Sequence, residues 1–461
     1  MQGVLLIDIG STYTKVTAVD LEEPRILGGA AAYTTVQTDV SHGLISALRK
    51  LQEITGPLTF TKRFACSSAA GGLKMIASGL APSLTETAAK MACLGAGAKV
   101  IRSYAYKLTQ EDIEEILQLA PDIFLLTGGT DGGNEQTILH NAKLLGAQKP
   151  SFPIVLAGNR NAKAQCLEYL ASWAVYPAEN VLPRLENHNV GPAQEKIRDL
   201  FLERIVRAKG LSEIADQMDL PLIPTPSAVL LAMELLADGT KNVAGIGELV
   251  AVDLGGATTD IYSVAQGAPS IADAQIKGLP EPYVKRTVEG DIGMRYSAAD
   301  VVGQAGLEEI AQLSRESPEA VRAWLETIEK EPDVLAASPG QIAIDRAIAA
   351  MAVKIAVSRH AGHMEEAYTV HGPVNLQYGK DLTGVKNLIL TGGAIVHNKD
   401  AGEIAKYALY DKADPNVLRP KEAKVYIDKK YILASMGLLA QKYPDVAQTL
   451  MKKEIYEYGT K

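Results

Sequence analysis

Two short stretches carry residue types suited to phosphate chemistry. Asp8-Ile9-Gly10-Ser11-Thr12-Tyr13-Thr14-Lys15 sets a carboxylate, a glycine turn, hydroxyls and a lysine close together. Asp253-Leu254-Gly255-Gly256-Ala257-Thr258-Thr259-Asp260 repeats the pattern in the second half. Glycine lets main-chain N–H groups approach an anion with no Cβ in the way. Successive N–H groups in such a turn form a concave nest for phosphate oxygens. Ser11 and Thr12 add hydroxyl donors and Lys15 a positive charge. Asp8 meets phosphate favourably only through a cation, and Mg²⁺ is held in this way by one or two carboxylates plus phosphates.

One Asp-x-Gly-x-Thr is compatible with an ordinary hairpin. Two, facing each other, supply two nests and two carboxylates around one polyphosphate. The expected phosphate contacts are Gly10, Ser11, Thr12, Lys15, Gly255, Gly256 and Thr258, with Thr258 and Thr259 giving one hydroxyl contact between them. Asp8 and Asp253 are the expected metal ligands and catalytic carboxylates. Thr391-Gly392-Gly393-Ala394 offers paired glycines, Gly392 and Gly393, against which a flat nucleoside can lie. Asp260 reverses the charge of Lys15 and reads as a structural or hydroxyl-orienting carboxylate.

These residues need strands ending at the turns. Val4–Ile9 reads as a buried strand and Tyr13–Asp20 as its hairpin partner. Asp122–Thr127 and Phe152–Leu156 are further strands in an α/β alternation. Helical periodicity fits Glu135–Leu145, Glu195–Ala208, Ala228–Ala237, Pro318–Lys330, Gln341–Ala356 and Tyr431–Lys442. The charge-rich stretch 297–340 reads as a solvated helical insert, and Met451–Lys461 as a charged, disordered tail.

Three motif pairs keep one order in both halves. Besides the hairpins, Lys62-Arg63 with Gly71-Gly72 matches Lys285-Arg286 with Gly290-Asp291-Ile292-Gly293. Phe124–Gly129 matches Leu388–Gly393, with Thr127–Asn134 as a structural twin that needs no ligand. So long a period implies a duplicated domain, with halves at 1–240 and 241–461 meeting near Gly239–Glu248.

The chain has 461 residues, too many for one core. Its 46 basic and 54 acidic residues give a net charge of −8 with no long basic run, which argues against nucleic acid as the main partner. No apolar run has the length of a membrane span, and the N-terminal residues lead into a strand and not a signal peptide. Cys66, Cys93 and Cys166 are widely spaced, which fits a reduced, cytoplasmic protein without disulfides or a zinc site. Cys66 reads as a buried inert thiol, and His360, His363 and His371 as core or solvated histidines. Asp291 is either a turn or N-cap residue or a contact to metal-bound water or ribose. Arg160, after a strand, is a candidate loop residue.

The arrangement resembles the actin, sugar-kinase and Hsp70-like ATPases. Asp8–Lys15 resembles their first phosphate segment, Asp253–Asp260 the second and Leu390–Ala394 the adenosine segment. Pro226-Ser227-Ala228 and Ala434-Ser435-Met436-Gly437 resemble the two connecting helices. The resemblance implies two RNase H-like domains around Mg-ATP or Mg-ADP. Where Hsp70-type members carry a catalytic Glu this chain has Thr225, which cannot serve as a general base near neutral pH. Hydrolysis is therefore expected to be slow, or to use Asp253 to orient water.

Five further strings resemble the glutamate mutase L family, unrelated to the mismatch-repair protein of similar name. They are Asp8–Lys15, Cys66–Met75, Leu126–Asn134, Leu156–Ala162 and Glu289–Tyr296. This resemblance implies an ATP-driven factor that reactivates or assembles an adenosylcobalamin-dependent mutase of the glutamate mutase or aminomutase type. Mutase subunits are the expected partners, and a homodimer is one assembly open to the chain. The alternative is a small-molecule kinase of the same superfamily, with Asp131 as base. An electron-delivering ATPase would need an iron–sulfur cluster on these scattered cysteines.

Overall fold

The computed structural model describes residues 2–10, 13–35, 39–68, 73–185, 187–206, 211–370 and 372–459. Ser11, Thr12, Gly71, Gly72 and His371 lie outside the described residues. The chain forms two compact units, residues 1–231 with 434–446 and residues 232–433 with 447–461. It passes between them three times, within helix Thr225–Asp238, at the start of helix Leu433–Ala440 and within helix Pro444–Glu454.

The first unit opens with β1 (Gln2–Ile9), β2 (Tyr13–Asp20) and β3 (Arg25–Tyr33), each antiparallel to the last, and then β4 (Thr59–Ser67), parallel to β1. The apolar run Val4–Ile9 is buried because β1 is central in its sheet. Helix Val40–Thr55 packs on this sheet through Leu44, Ala47 and Leu51. Its start is fixed by Asp39, whose carboxylate accepts the Ser41 N–H at 2.8 Å. Next come β5 (Lys74–Gly79), β6 (Lys99–Ala105), β7 (Ile123–Leu126), β8 (Ile154–Leu156) and β9 (Val175–Pro177), which form a separate parallel sheet. The chain then returns to the first sheet as β10 (Ile223–Pro224), giving the order β3-β2-β1-β4-β10.

The second unit holds β11 (Leu249–Leu254), β12 (Thr259–Val264), β13 (Gln275–Lys277), β14 (Val284–Glu289), β15 (His363–Thr369), β16 (Gly372–Tyr378), β17 (Asn387–Thr391), β18 (Lys424–Ile427) and β19 (Tyr456–Glu457). Its main sheet runs β14-β12-β11-β17-β18-β19, and β13, β16 and β15 make a small separate sheet. The order β14-β12-β11-β17-β18 repeats β3-β2-β1-β4-β10, and the directions agree at every step. The protein is thus α/β with a duplicated RNase H-like core. Residues 239–248 lead into β11.

This topology corrects two of the three sequence echoes. Phe124–Leu126 is β7 of the separate sheet, so the positional counterpart of β17 is β4. Lys62-Arg63 lies on β4, whereas Lys285-Arg286 lies on β14, the counterpart of β3. Only the hairpins are true equivalents.

The stretch 297–340 is also not merely solvated. Helices Ala298–Ala305, Leu307–Ser314 and Pro318–Lys330 bury Val301, Ile310, Val321, Trp324 and Ile328 in the core of the second unit. The expected tail is folded as far as residue 459. Met451 is buried in helix Pro444–Glu454, and β19 adds a strand to the main sheet.

Candidate functional site

Each hairpin brings its carboxylate to the carboxyl end of a central strand, and the two turns close alike. In the first unit Gly10 N–H donates to Tyr13 O at 3.0 Å; in the second, Gly255 N–H donates to Thr258 O at 3.0 Å. A Cβ on Gly10 would stand 2.7 Å from Tyr13 O, and one on Gly255 2.8 Å from Thr258 O, so both turns require glycine. Asp8 faces Lys15 across its hairpin just as Asp253 faces Asp260.

Asp8 is buried, with Lys15 Nζ 4.0 Å from its Oδ2. Its Oδ1 accepts the Thr225 hydroxyl at 2.8 Å and lies 3.5 Å from the Cys66 thiol sulfur. Thr225, at the start of helix Thr225–Asp238, is thus a donor to the candidate metal ligand, a contact that its place in the sequence did not reveal. Burial, reinforced by the Asp8 carboxylate, pushes the Cys66 thiol well up, so it stays protonated. Cys93 and Cys166 are buried too, the latter pushed up to about 11. Protonated, buried thiols are poor cluster ligands.

In the second unit Asp260 is a structural carboxylate, bound by buried Arg286 through Nε at 2.8 Å and Nη2 at 2.6 Å. Thr259 is buried and donates to Ile292 O at 2.9 Å, which leaves Thr258 as the threonine for a ligand at this turn. The segment that follows β14 wraps the turn. Met294 N–H donates to Gly255 O at 3.0 Å, and the Arg295 and Tyr296 N–H groups donate to Gly256 O at 2.8 and 3.0 Å. A Cβ on Gly293 would meet Gly256 O at 2.7 Å, so the Glu289–Tyr296 motif buttresses the hairpin. Asp291 neither caps a helix nor stands free. Arg359 grips it with two hydrogen bonds, at 2.7 and 2.9 Å, while Ser297 occupies the N-cap position.

Thr391 lies opposite Asp253 in the sheet, and Gly392 follows with φ 103°. A Cβ there would come within 2.2 Å of Leu254 O, so the chain can cross the end of β11 only as glycine. Gly393 is exposed and starts a short helix. The Tyr431 hydroxyl stands 3.8 Å from where a Cβ on Gly393 would sit. Burial, then the Asp253 and Asp428 carboxylates, push this phenol up to about 12. Tyr431 has φ 54°, a strained value for a bulky side chain. Asp428 holds the next segment by accepting the Ile432 and Leu433 N–H groups at 3.0 and 3.1 Å. Position alone gave no hint of Tyr431 or Asp428.

The structure therefore gathers Asp8, Gly10 and Lys15 with Thr225 and Cys66 in one unit, and Asp253, Gly255, Gly256 and Thr258 with Gly392, Gly393 and Tyr431 in the other. Among the described residues no group of three His, Cys, Asp or Glu side chains could hold a metal unaided. One carboxylate from each hairpin, Asp8 and Asp253, nevertheless fits Mg²⁺, which keeps waters and takes phosphate oxygens as ligands. His360 is buried and bonded to Ser263 Oγ and Thr287 Oγ1, each at 2.8 Å, and His363 is exposed, as expected of core and solvated histidines. A cavity of about 300 Å³ beneath helix Val40–Thr55, lined by Leu5, Ile7, Leu44 and Phe60, includes none of the hairpin residues named above.

A core duplicated strand for strand, with an Asp-Gly hairpin in each copy, is the architecture of the actin-like ATPase class. Within that class the chain belongs to the MutL (glutamate mutase L) family, whose model, "MutL protein", matches residues 4–455. Protein MutL of Clostridium tetanomorphum is 46% identical over 457 residues, 98% of this chain and 99% of that protein. Solved structures also align along the chain. The activator of 2-hydroxyisocaproyl-CoA dehydratase from Clostridium difficile, with bound ADPNP, covers 99% of this chain and 100% of its own at 12% identity and TM-score 0.34. Plasmodium falciparum glycerol kinase with ADP covers 100% and 95% at 10% identity and TM-score 0.35. With scores this low, the fold assignment rests on the strand order.

Proposed function

We propose that this chain binds Mg-ATP and Mg-ADP through its two hairpins and uses the nucleotide to reactivate or assemble an adenosylcobalamin-dependent mutase. The observation that carries the nucleotide reading is the repeat of one Asp-Gly turn, with the same closing hydrogen bond, on the central strand of both sheets. Gly10, Ser11, Thr12, Lys15, Gly255, Gly256 and Thr258 meet phosphates, and Gly392 and Gly393 carry the nucleoside. Asp8 and Asp253 hold Mg²⁺ through its waters; when bound, the ion neutralises phosphate charge and polarises the terminal phosphoryl group. Thr225 keeps Asp8 oriented as an acceptor and supplies no base, so hydrolysis is slow. Different affinities of ATP and ADP for different conformations then bias partner binding.

Membership of the glutamate mutase L family supports the mutase as partner. The kinase reading is weaker, because Asp131 Oδ1 already accepts Asn180 Nδ2 at 2.9 Å and the Arg160 N–H at 3.0 Å. The test is to inactivate a glutamate mutase or aminomutase by turnover and then add this protein with Mg-ATP and fresh coenzyme. Recovery that requires ATP is the expected result. ATP-independent recovery, or phosphoryl transfer to a metabolite without any partner protein, would overturn the proposal.

A further inference from the structure

The separate sheet of the first unit plays no part in the nucleotide reading, yet its topology defines a crevice. Its strands run parallel in the order β6-β5-β7-β8-β9. From β5 the chain moves through helix Thr87–Gly95 to β6 on one side, and from β7 through helix Gln136–Gly146 to β8 on the other. Right-handed crossovers send these connections to opposite faces. Ile138, Ala142 and Leu145 of the second helix accordingly pack with Ile76, Phe124, Leu126 and Ile154 on one face, in a cluster that includes nothing from helix Thr87–Gly95. In open parallel sheets of this order, ligands bind beyond the carboxyl ends of the strands where the winding reverses. Here that place lies between the ends of β5 and β7.

The loop leaving β7 is Thr127-Gly128-Gly129-Thr130-Asp131-Gly132-Gly133-Asn134. Gly128, Gly129 and Gly132 have φ of 152°, 71° and 75°, and a Cβ on Gly129 would fall 2.1 Å from Asn134 O. Thr127 Oγ1 donates to Ser78 O at 2.6 Å, which ties the loop to the end of β5. Asn159 Oδ1 accepts the Gly132 N–H at 3.2 Å, and Asp131 binds Arg160 N–H and Asn180, so the loops after β7, β8 and β9 are knit together. The N–H groups of Gly128, Gly129 and Thr130 have no acceptor among the described residues. Consecutive N–H groups left without acceptors are available to an anion, as in the main-chain concavities that bind phosphate. Independently, Ser78 Oγ, fully buried near the end of β5, has no hydrogen-bond partner among the described residues. A lone buried hydroxyl is costly to keep. Arg160, exposed on the adjoining loop, supplies positive charge at the same end of the sheet.

We propose that this crevice is a second anion site, which binds the phosphate of a small phosphorylated metabolite or cofactor on the Gly128–Thr130 loop, with Ser78 as a further donor and Arg160 as the countercharge. The site shares no residue with the hairpins, so it stands or falls apart from the nucleotide reading.

The experiment is hydrogen–deuterium exchange on the full chain with inorganic phosphate as probe, read over the peptide that covers residues 127–134. Phosphate should slow exchange there in the wild-type protein and in Asp8→Asn. In Arg160→Ala about tenfold or more phosphate should be needed for the same protection, as for loss of a charge-assisted contact. Ser78→Ala should also weaken protection, while its melting temperature stays level or rises because an unpartnered hydroxyl has gone. No protection of 127–134 in the wild type would overturn the proposal. So would equal protection in Arg160→Ala and Ser78→Ala, or protection that vanishes in Asp8→Asn alone.

Discussion

Lys380 sits where an ammonium group is expensive. Its side chain is fully buried, with Nζ donating to Tyr283 O at 2.7 Å and to Ser263 Oγ at 3.4 Å. Burial first, and then the nearby Lys285 charge, push Lys380 down to about 7, against partial support from Glu281 and Glu248. His360, which shares the Ser263 hydroxyl, is held neutral by its own burial. The folded protein therefore gives up the Lys380 proton near pH 7, whereas the unfolded chain keeps it to about pH 10.4. Between those values the unfolded state binds more protons, so this group makes stability rise with pH; below them both states are protonated and the contribution is constant. Integrating the difference in proton binding from about pH 7 to about pH 8.5 gives about 1.6 kcal/mol. The assay is urea unfolding of the wild-type protein and Lys380→Met at both pH values. A Trp173→Phe background leaves Trp324, buried in the second unit, as the sole tryptophan reporter. The wild type should gain about 1.6 kcal/mol on the Met variant as pH rises over that interval. Parallel profiles would refute the assignment of a neutral buried lysine.

Asp8→Asn and Asp253→Asn should each weaken Mg-ATP binding by about tenfold or more, as expected for loss of a charged ligand; calorimetric titration measures this, and unchanged affinity in both would remove these carboxylates from the metal. Gly392→Ala must place a Cβ 2.2 Å from a main-chain oxygen at φ 103°. It should cost more than about 3 kcal/mol of stability, read by denaturant unfolding of the second unit, and a loss below about 1 kcal/mol would contradict the crossing at the end of β11.

The elements closest to these sites were the most legible. Tyr13–Asp20 and Pro318–Lys330 have the bounds read from the sequence, because a glycine turn fixes the first and a Ser-Pro start the second. Helix ends elsewhere shifted by a few residues, as for Gln341–Ala356, which extends to Pro339–His360 behind a capping box from Ser338. The Thr-Gly-Gly echo was misread for a local reason. Strand–Thr-Gly-Gly–helix is the local grammar of any parallel strand that runs into a tight turn, so β7 and β17 look alike in sequence although they occupy different sheets. Sheet membership is set by long-range pairing, which no window of sequence contains. The hydrogen bond of Thr225 to Asp8 and the placing of Tyr431 beside Gly393 were hidden for the same reason, since each joins residues far apart in the chain.

The duplication also explains why the two hairpins need not do the same chemistry. A shared backbone fixes the turn, the closing hydrogen bond and the carboxylate on the central strand, and leaves the residue opposite that carboxylate free to differ. In the first copy this residue is Lys15, partly exposed and within 4.0 Å of Asp8, so the hairpin can offer positive charge directly to an anion. In the second it is Asp260, and a second carboxylate there is tolerable only because Arg286 is buried against it. That ion pair consumes its own charge inside the sheet. Beyond the backbone nest, a phosphate thus finds a positive side chain, Lys15, at the first hairpin, whereas the second offers the Thr258 hydroxyl and, through a cation, Asp253. One turn repeated on two strands thus differs, through a single cross-strand residue, in whether its hairpin carries a cationic side chain.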